Sequence, residues 1–137
     1  MVSFELLDTY SETVINQNVI TTIIQKIASD HHKELGVVTI IVGSDEWLLS
    51  YNTKYLNHDF FTDIITFDYT EGNIVSGDLL ISYDRIIDNS SALNVSLEIE
   101  FRRVCYHGVL HLCGYKDKSP RELKLMREKE DYYLSLS

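Results

Sequence analysis

Proline is almost missing from this chain, with Pro120 the one instance in 137 residues. Glycine is sparse at six, and the two scarcities together argue against disorder and low complexity. Cysteine is limited to Cys105 and Cys113. On one helix they would stand eight residues apart, too far along it to bridge, so both read as reduced thiols of a cytoplasmic protein. No run approaches the ~20 apolar residues of a membrane span. The opening Met-Val-Ser-Phe-Glu-Leu-Leu-Asp has neither a basic start nor a long apolar segment, which argues against a secretory signal. There is no internal repeat. What is present is 45% hydrophobic, enough for one ordinary core, so residues 1–137 read as a single domain.

Positive charge is also scarce overall, and the net charge of −9 argues at first against a nucleic-acid partner. Its distribution changes that reading. Residues 1–100 carry four Lys/Arg against sixteen Asp/Glu. Residues 101–129 carry eight Lys/Arg against Asp117, Glu122 and Glu128. Local sign, more than net sign, steers a polyanion.

The pattern of elements is mixed. Val2–Leu7 alternates as a short strand. Val19, Ile20, Ile23, Ile24 and Ile27 have helical spacing within a helix from Asn18 to about His32, which Gly36 closes. Val37–Gly43 is a β-branched run that reads as a buried strand. Ser44 caps a helix with Asp45 and Glu46 in its first turn. That helix carries Trp47, Leu48, Tyr51 and Tyr55, whose rings read as core rather than as a base-stacking platform. Ile64–Tyr69 and Gly77–Ser82 are paired strands around the turn Thr70–Asn73. Ser82 caps a helix through Ile86, Ile87 and Leu93, and Asn94 or Ser96 caps the next. Ser119, Pro120 and Glu122 mark a last helix start, with Leu123, Met126 and Tyr133 facing the core. The expected fold is α+β: a small mixed four-stranded sheet packed with about five helices.

The chemistry concentrates in Cys105-Tyr-His107-Gly108-Val-Leu-His111-Leu-Cys113-Gly114-Tyr-Lys-Asp117, which holds two of the five histidines. A helix from about Leu97 to Cys113 puts His107 and His111 within about 40° of each other, with Cβ atoms ~6 Å apart. Two imidazoles so placed can bind one metal ion. Gly114 suits a left-handed stop, after which the chain can return Asp117 as a third ligand. Two histidines and a carboxylate form one of the common sets of catalytic zinc, whose open fourth position serves water or substrate. A bare His-x3-His pair is weak evidence, and the competing reading makes these ordinary helix residues with Asp117 capping a turn. The cysteines adjoin the histidines in sequence and so face elsewhere. In a peptidase helix of the His-Glu-x-x-His type a glutamate base follows the first histidine; here Gly108 stands there. Asp63 and Asp78 are the possible substitutes. Glycine at 108 would let a substrate backbone approach closely.

His107-Gly-Val-Leu-His111-Leu-Cys-Gly114-Tyr115, preceded by Gly77-Asp78 and by Thr62-Asp63-Ile64-Ile65-Thr66-Phe67, resembles the YbeY family of bacterial rRNA maturation factors. The resemblance runs from roughly Val37 to Asp131. It implies a zinc-dependent, single-strand-specific endoribonuclease of the cytoplasm, acting in small-subunit (16S) rRNA maturation and ribosome quality control. One Zn²⁺ per chain would be held by His107, His111 and, where the family usually has histidine, Asp117. The partners implied are single-stranded rRNA, the pre-ribosomal small subunit and ribosomal proteins, with no membrane. The family often has Tyr-Arg before the Thr-Asp segment, with that arginine implicated in activity; here the pair is Tyr55-Leu56. Arg102, Arg103, Lys116 and Lys54 are the candidates to contact phosphate instead. The rival from another class is a non-catalytic ribosome-assembly factor with a structural zinc. A metallopeptidase is disfavoured by Gly108.

Overall fold

The computed structural model describes residues 1–8 and 15–137. Among these, four strands form one sheet in the order β1 (Val2–Leu6), β2 (Glu34–Gly43), β4 (Ile74–Ser82), β3 (Ile64–Asp68). β1, β2 and β4 run parallel, and β3 closes the edge antiparallel to β4. Five helices complete the domain: α1 (Gln17–Asp30), α2 (Asp45–Leu56), α3 (Tyr83–Leu93), α4 (Leu97–Leu112) and α5 (Pro120–Ser135). The expected α+β fold with a small mixed sheet is therefore present.

Strand alternation divides the apolar residues between two unequal cores. Val38, Ile40 and Val42 of β2 and Val75, Leu79 and Ile81 of β4 are buried with the isoleucines of α1 and with Phe101, Val104, Val109 and Leu110 of α4. The opposite face gathers a small cluster, Leu48 of α2 with Ile65 and Leu80. α4 is the hub: it packs on α1, α3, α5, β3 and β4. Nine of its sixteen residues are buried. Apolar burial at ~25 cal/mol per Å² makes this helix the main attachment of the helical layer to the sheet.

Local signals act as their chemistry requires. The side chains of Ser44, Ser82, Ser96 and Ser119 each accept a backbone N–H at a helix start. Ser119 and Glu122 complete a reciprocal capping box. Asn94 instead takes the left-handed conformation that ends α3. Two expectations need correction here. Gly36 does not close α1; that helix ends at Asp30, His32 takes the left-handed turn, and β2 is under way by Glu34. Leu123 is not core but 52% exposed, because the buried stripe of α5 is Met126, Glu130 and Tyr133. On α3, Ile87 and Leu93 are exposed, and Tyr83 and Ile86 anchor the helix.

Gly108 faces inward, not toward a substrate. A Cβ there would lie 2.8 Å from Leu79 Cδ2 and 2.9 Å from Ile64 Cδ1. The glycine brings α4 close to the sheet. Gly77 does the same from the other side, where a Cβ would lie 2.5 Å from the Phe67 carbonyl oxygen and 2.8 Å from Leu112 Cδ2. The two sites differ in what must move. We predict that Gly77→Ala destabilises the fold by about 1–3 kcal/mol, because a paired backbone carbonyl cannot yield. Gly108→Ala meets only side-chain tips and regains about 1 kcal/mol of helix propensity, so it should cost less. Urea denaturation of both variants checks this, and equal losses would contradict it.

Candidate metal centre and its cleft

The end of α4 builds the site. The Tyr115 N–H bonds to the Leu110 carbonyl and the Gly114 N–H to the His111 carbonyl, both at 3.0 Å. Gly114 has φ +104°, so this is the six-to-one, five-to-two stop that glycine permits. The turn swings the Tyr115 carbonyl back to 2.8 Å from His111 Nδ1. One helical turn earlier, His107 Nδ1 lies 2.6 Å from Glu130 Oε2 on α5. A carbonyl and a carboxylate only accept, so both histidines carry the proton on Nδ1 and turn Nε2 outward.

Those two Nε2 atoms are 2.9 Å apart, and Asp117 Oδ2 lies 3.2 Å from each. Bonds of ~2.0 Å in a tetrahedral zinc site require ligand–ligand edges of about 3.3 Å. Three donors of suitable type thus form one face of such a tetrahedron, leaving a fourth vertex toward the cleft. The outer hydrogen bonds to Glu130 and Tyr115 are those a metal-binding imidazole needs to hold its tautomer and orientation. The residues fit a divalent metal such as zinc.

A further pair of contacts braces the turn. His31 Nδ1 lies 2.7 Å from the Ile27 carbonyl, and its Nε2 lies 2.8 Å from the Tyr115 hydroxyl. Donating at Nδ1, the neutral ring accepts the phenol proton at Nε2. Tyr115 is thereby held from both ends, by its hydroxyl to α1 and by its carbonyl to His111.

The site opens into a cleft of about 550 Å³ whose walls include Leu56, Asp63, Thr66, Asp68 and Lys118. A second hollow of about 240 Å³ adjoins it behind His107, with Arg103, Glu100 and Arg127 in its walls. Asp63 borders both, and burial raises its carboxyl pKa although the His107 charge opposes this. Burial works to lower the His107 pKa. The Glu130 hydrogen bond and the charges of Glu130, Asp117 and Asp63 outweigh it, so the net shift is upward. Cys105 is fully buried and Cys113 partly so, and burial pushes the Cys113 thiol up to about 11. Both thiols stay protonated at neutral pH.

The other residues singled out from the sequence are dispersed. Arg102 pairs with Glu98 at 3.7 Å, and Arg103 with Glu100. Lys116 borders a separate hollow with Cys113, Tyr115 and Glu122. Lys54 lies over the Tyr55 ring at 5.3 Å. Asp78 interacts with Tyr69, whereas Asp63 borders the cleft. Glu130 escaped the sequence reading, although a charged residue on the Met126–Tyr133 stripe was a visible signal. Lys118 and Arg127 belong to the basic tract but not to the candidate phosphate contacts, since nothing in sequence orders cations around a cleft.

A family model described as Endoribonuclease YbeY matches residues 6–136. The chain belongs to the YbeY family. Relatives that carry the name Endoribonuclease YbeY include those of two bacteria. That of Flavobacterium johnsoniae is 46% identical over 121 residues, spanning 88% of this chain and 87% of its own. That of Azobacteroides pseudotrichonymphae is 48% identical over 117 residues, 85% of this chain and 84% of its own. The solution structure of TM1509 from Thermotoga maritima superposes with a TM-score of 0.70 at 24% identity, covering 98% of this chain and 87% of that one. It shares the fold. Within this YbeY chain, no helix of the described residues is long and apolar enough to cross a membrane.

Glu130 gives the site a distinctive pH dependence. In metal-free protein the His107–Glu130 pair contributes stability that is fully present below the unfolded-state histidine pKa. It is lost as pH rises through the higher folded-state value. The same raised pKa makes protons compete with metal at Nε2. We predict that Glu130→Gln weakens zinc binding about 10- to 100-fold. It should also move the acid-side fall in affinity to lower pH. Zinc titration against a chromophoric chelator across the neutral range measures both, and an unchanged pH profile would contradict the second.

Proposed function

We propose that this protein is a zinc-dependent, single-strand-specific endoribonuclease acting in small-subunit (16S) rRNA maturation and ribosome quality control. The observation that carries the reading is the triangle of His107 Nε2, His111 Nε2 and Asp117 Oδ2 at the wall of an open cleft, in a chain of the YbeY family. His107, His111 and Asp117 would hold one Zn²⁺ per chain. A zinc ion so held supplies a Lewis acid that polarises a phosphoryl oxygen and lowers the pKa of its water. The remaining work falls to protein groups. Asp63 keeps a proton affinity that a surface aspartate lacks, and can accept the proton of an attacking water or 2′-hydroxyl. Lys118 in the cleft and Arg103 and Arg127 in the adjoining hollow can position phosphates on either side. Residues 1–137 act as one hydrolase domain, in the cytoplasm, with the pre-ribosomal small subunit and ribosomal proteins as partners. The basic tract from residue 101 to 129 supports contact with rRNA, and the acidic remainder supports contact with basic ribosomal proteins.

A second reading has one observation in its favour. Glu130 ties His107 to α5, so metal loading would also brace α5 against α4. In that reading the protein is an assembly factor with a structural zinc. A metallopeptidase fits less well, because the position of its usual base is Gly108, pressed against Leu79 and Ile64.

A labelled single-stranded RNA and a peptide library, incubated with zinc-loaded wild type, His111→Ala and a chelated sample, separate the readings. Zinc-dependent RNA cleavage absent from the variant is the expected result. Ribosome binding without cleavage would favour the assembly factor, and peptide cleavage the peptidase. We further predict that Asp63→Asn lowers the cleavage rate by about 10²–10⁴ while the zinc content stays at one per chain. An unchanged rate would remove Asp63 from proton transfer.

A further inference from the structure

α2 carries aromatic residues at every fourth position: Trp47, Tyr51 and Tyr55. Trp47 meets Tyr51 edge-on, with centroids 5.5 Å apart. Tyr51 and Tyr55 lie nearly parallel, at 5.7 Å and 19°. Tyr55 then meets the edge of Phe67 on β3 at 5.7 Å and 84°. The row starts against the small core of Leu48, Ile65 and Leu80 and ends in the open, where Tyr55 is 54% exposed. The expectation that these rings are all core fails at Tyr55. Single exposed apolar residues are ordinary. A ring fixed by two other rings while more than half open is a rigid platform.

Its location matters. Leu56, the next residue, forms part of the cleft wall, as do Thr66 and Asp68 on either side of Phe67. Phe67 itself faces α2, on the side of β3 opposite Thr66 and Asp68, so it is Leu56, its neighbour in the chain, that joins Tyr55 to the lip of the cleft. The charge in that cleft is poor for a polyanion. Asp63, Asp68 and Asp117 border it against Lys118, and Leu56 brings no charge. A contact that needs no net positive charge would add to the grip of Lys118, Arg103 and Arg127 on RNA. Stacking on an aromatic face is such a contact, because every base has a π-face and no cation is needed. Lys54, with Nζ 5.3 Å over the Tyr55 ring, adds a flexible cation at the same lip.

Building on the RNA reading above, we propose that Tyr55 is a base-stacking residue, receiving one unpaired base of a single-stranded RNA that enters the cleft, with Lys54 taking an adjacent phosphate. Stacking adds to charge as a source of grip beside the uncharged Leu56. An unpaired base is required, since a base within a duplex presents no free face.

Steady-state cleavage of a labelled single-stranded RNA by the zinc-loaded protein tests this. Tyr55→Ala should raise KM roughly tenfold, the loss expected for one stacked base, and leave kcat within about twofold. The rise should be as large at high salt as at low salt, because stacking is not screened. Tyr55→Phe and Tyr55→Trp should restore KM. Tyr55→Leu should behave as alanine, although it keeps the apolar surface. Because the ring is exposed, all four variants should melt close to wild type. If wild type cleaves and Tyr55→Ala keeps its KM, stacking is overturned and the RNA reading stands. If Tyr55→Leu matches wild type, the ring is an apolar contact, as for a protein partner, and stacking is again overturned. If wild type neither binds nor cleaves single-stranded RNA, the functional reading falls and this proposal with it.

Discussion

Two hydrogen bonds, from His107 Nδ1 to Glu130 and from His111 Nδ1 to the Tyr115 carbonyl, hold this site in shape. Each fixes a tautomer and a ring plane, and together they aim both Nε2 atoms at one point beside Asp117. Without them the four-residue spacing brings two imidazoles near each other but does not orient them. Much of the fold positions their acceptors. The glycine stop after α4 returns Tyr115, and His31 on α1 pins its hydroxyl. The Ser119–Glu122 box starts α5 so that Glu130 arrives against His107 eight residues later. α4 is kept flat on the sheet by two glycines, Gly77 and Gly108, that leave no room between them and their neighbours.

The electrostatic character of the site follows from the same packing. Glu130 is almost fully buried and has His107 as its close partner, with Arg127 at 3.8 Å. A buried carboxylate is tolerated only when paired, so His107 is drawn toward its charged form when no metal is bound. A divalent ion held at Nε2 would take over that role. Asp63 accepts from Asn89 and from backbone N–H groups, but burial outweighs these and keeps its proton affinity elevated. The cleft thus has carboxylates with different tasks: one in the donor triangle and one able to exchange a proton. Beside Lys118, the proposed stacking on Tyr55 would add a contact that needs no charge.

What sequence could reveal was whatever is local. The isoleucine spacing of α1, the serine caps, Ser119-Pro120-Glu122 and the Gly114 stop are encoded within a few residues, and the structure bears them out. The three candidate ligands were legible because helical spacing and one turn connect them. The rest depends on tertiary arrangement. Tyr115 acts through its backbone carbonyl, which no side chain announces. Glu130 announced itself only as a misplaced charge on an apolar stripe, meaningful once its partner is known. Gly108 looked like an opening toward substrate because sequence does not say which side of α4 faces the sheet. Tyr55 looked like core because it continues the four-residue spacing of Trp47 and Tyr51, which does not reveal that its ring is left more than half exposed.

The central claim is that His107, His111 and Asp117 together hold one divalent metal in a tetrahedral nitrogen–oxygen site. Substitution with Co²⁺ followed by visible absorption tests it most directly, since the d–d bands report coordination number and thiolate ligation appears separately in the near ultraviolet. The account predicts one cobalt per chain, intense bands of a four-coordinate site, no thiolate band, and loss of the spectrum in His111→Ala. A weak six-coordinate spectrum, a thiolate band, or an undiminished spectrum in His111→Ala would contradict it.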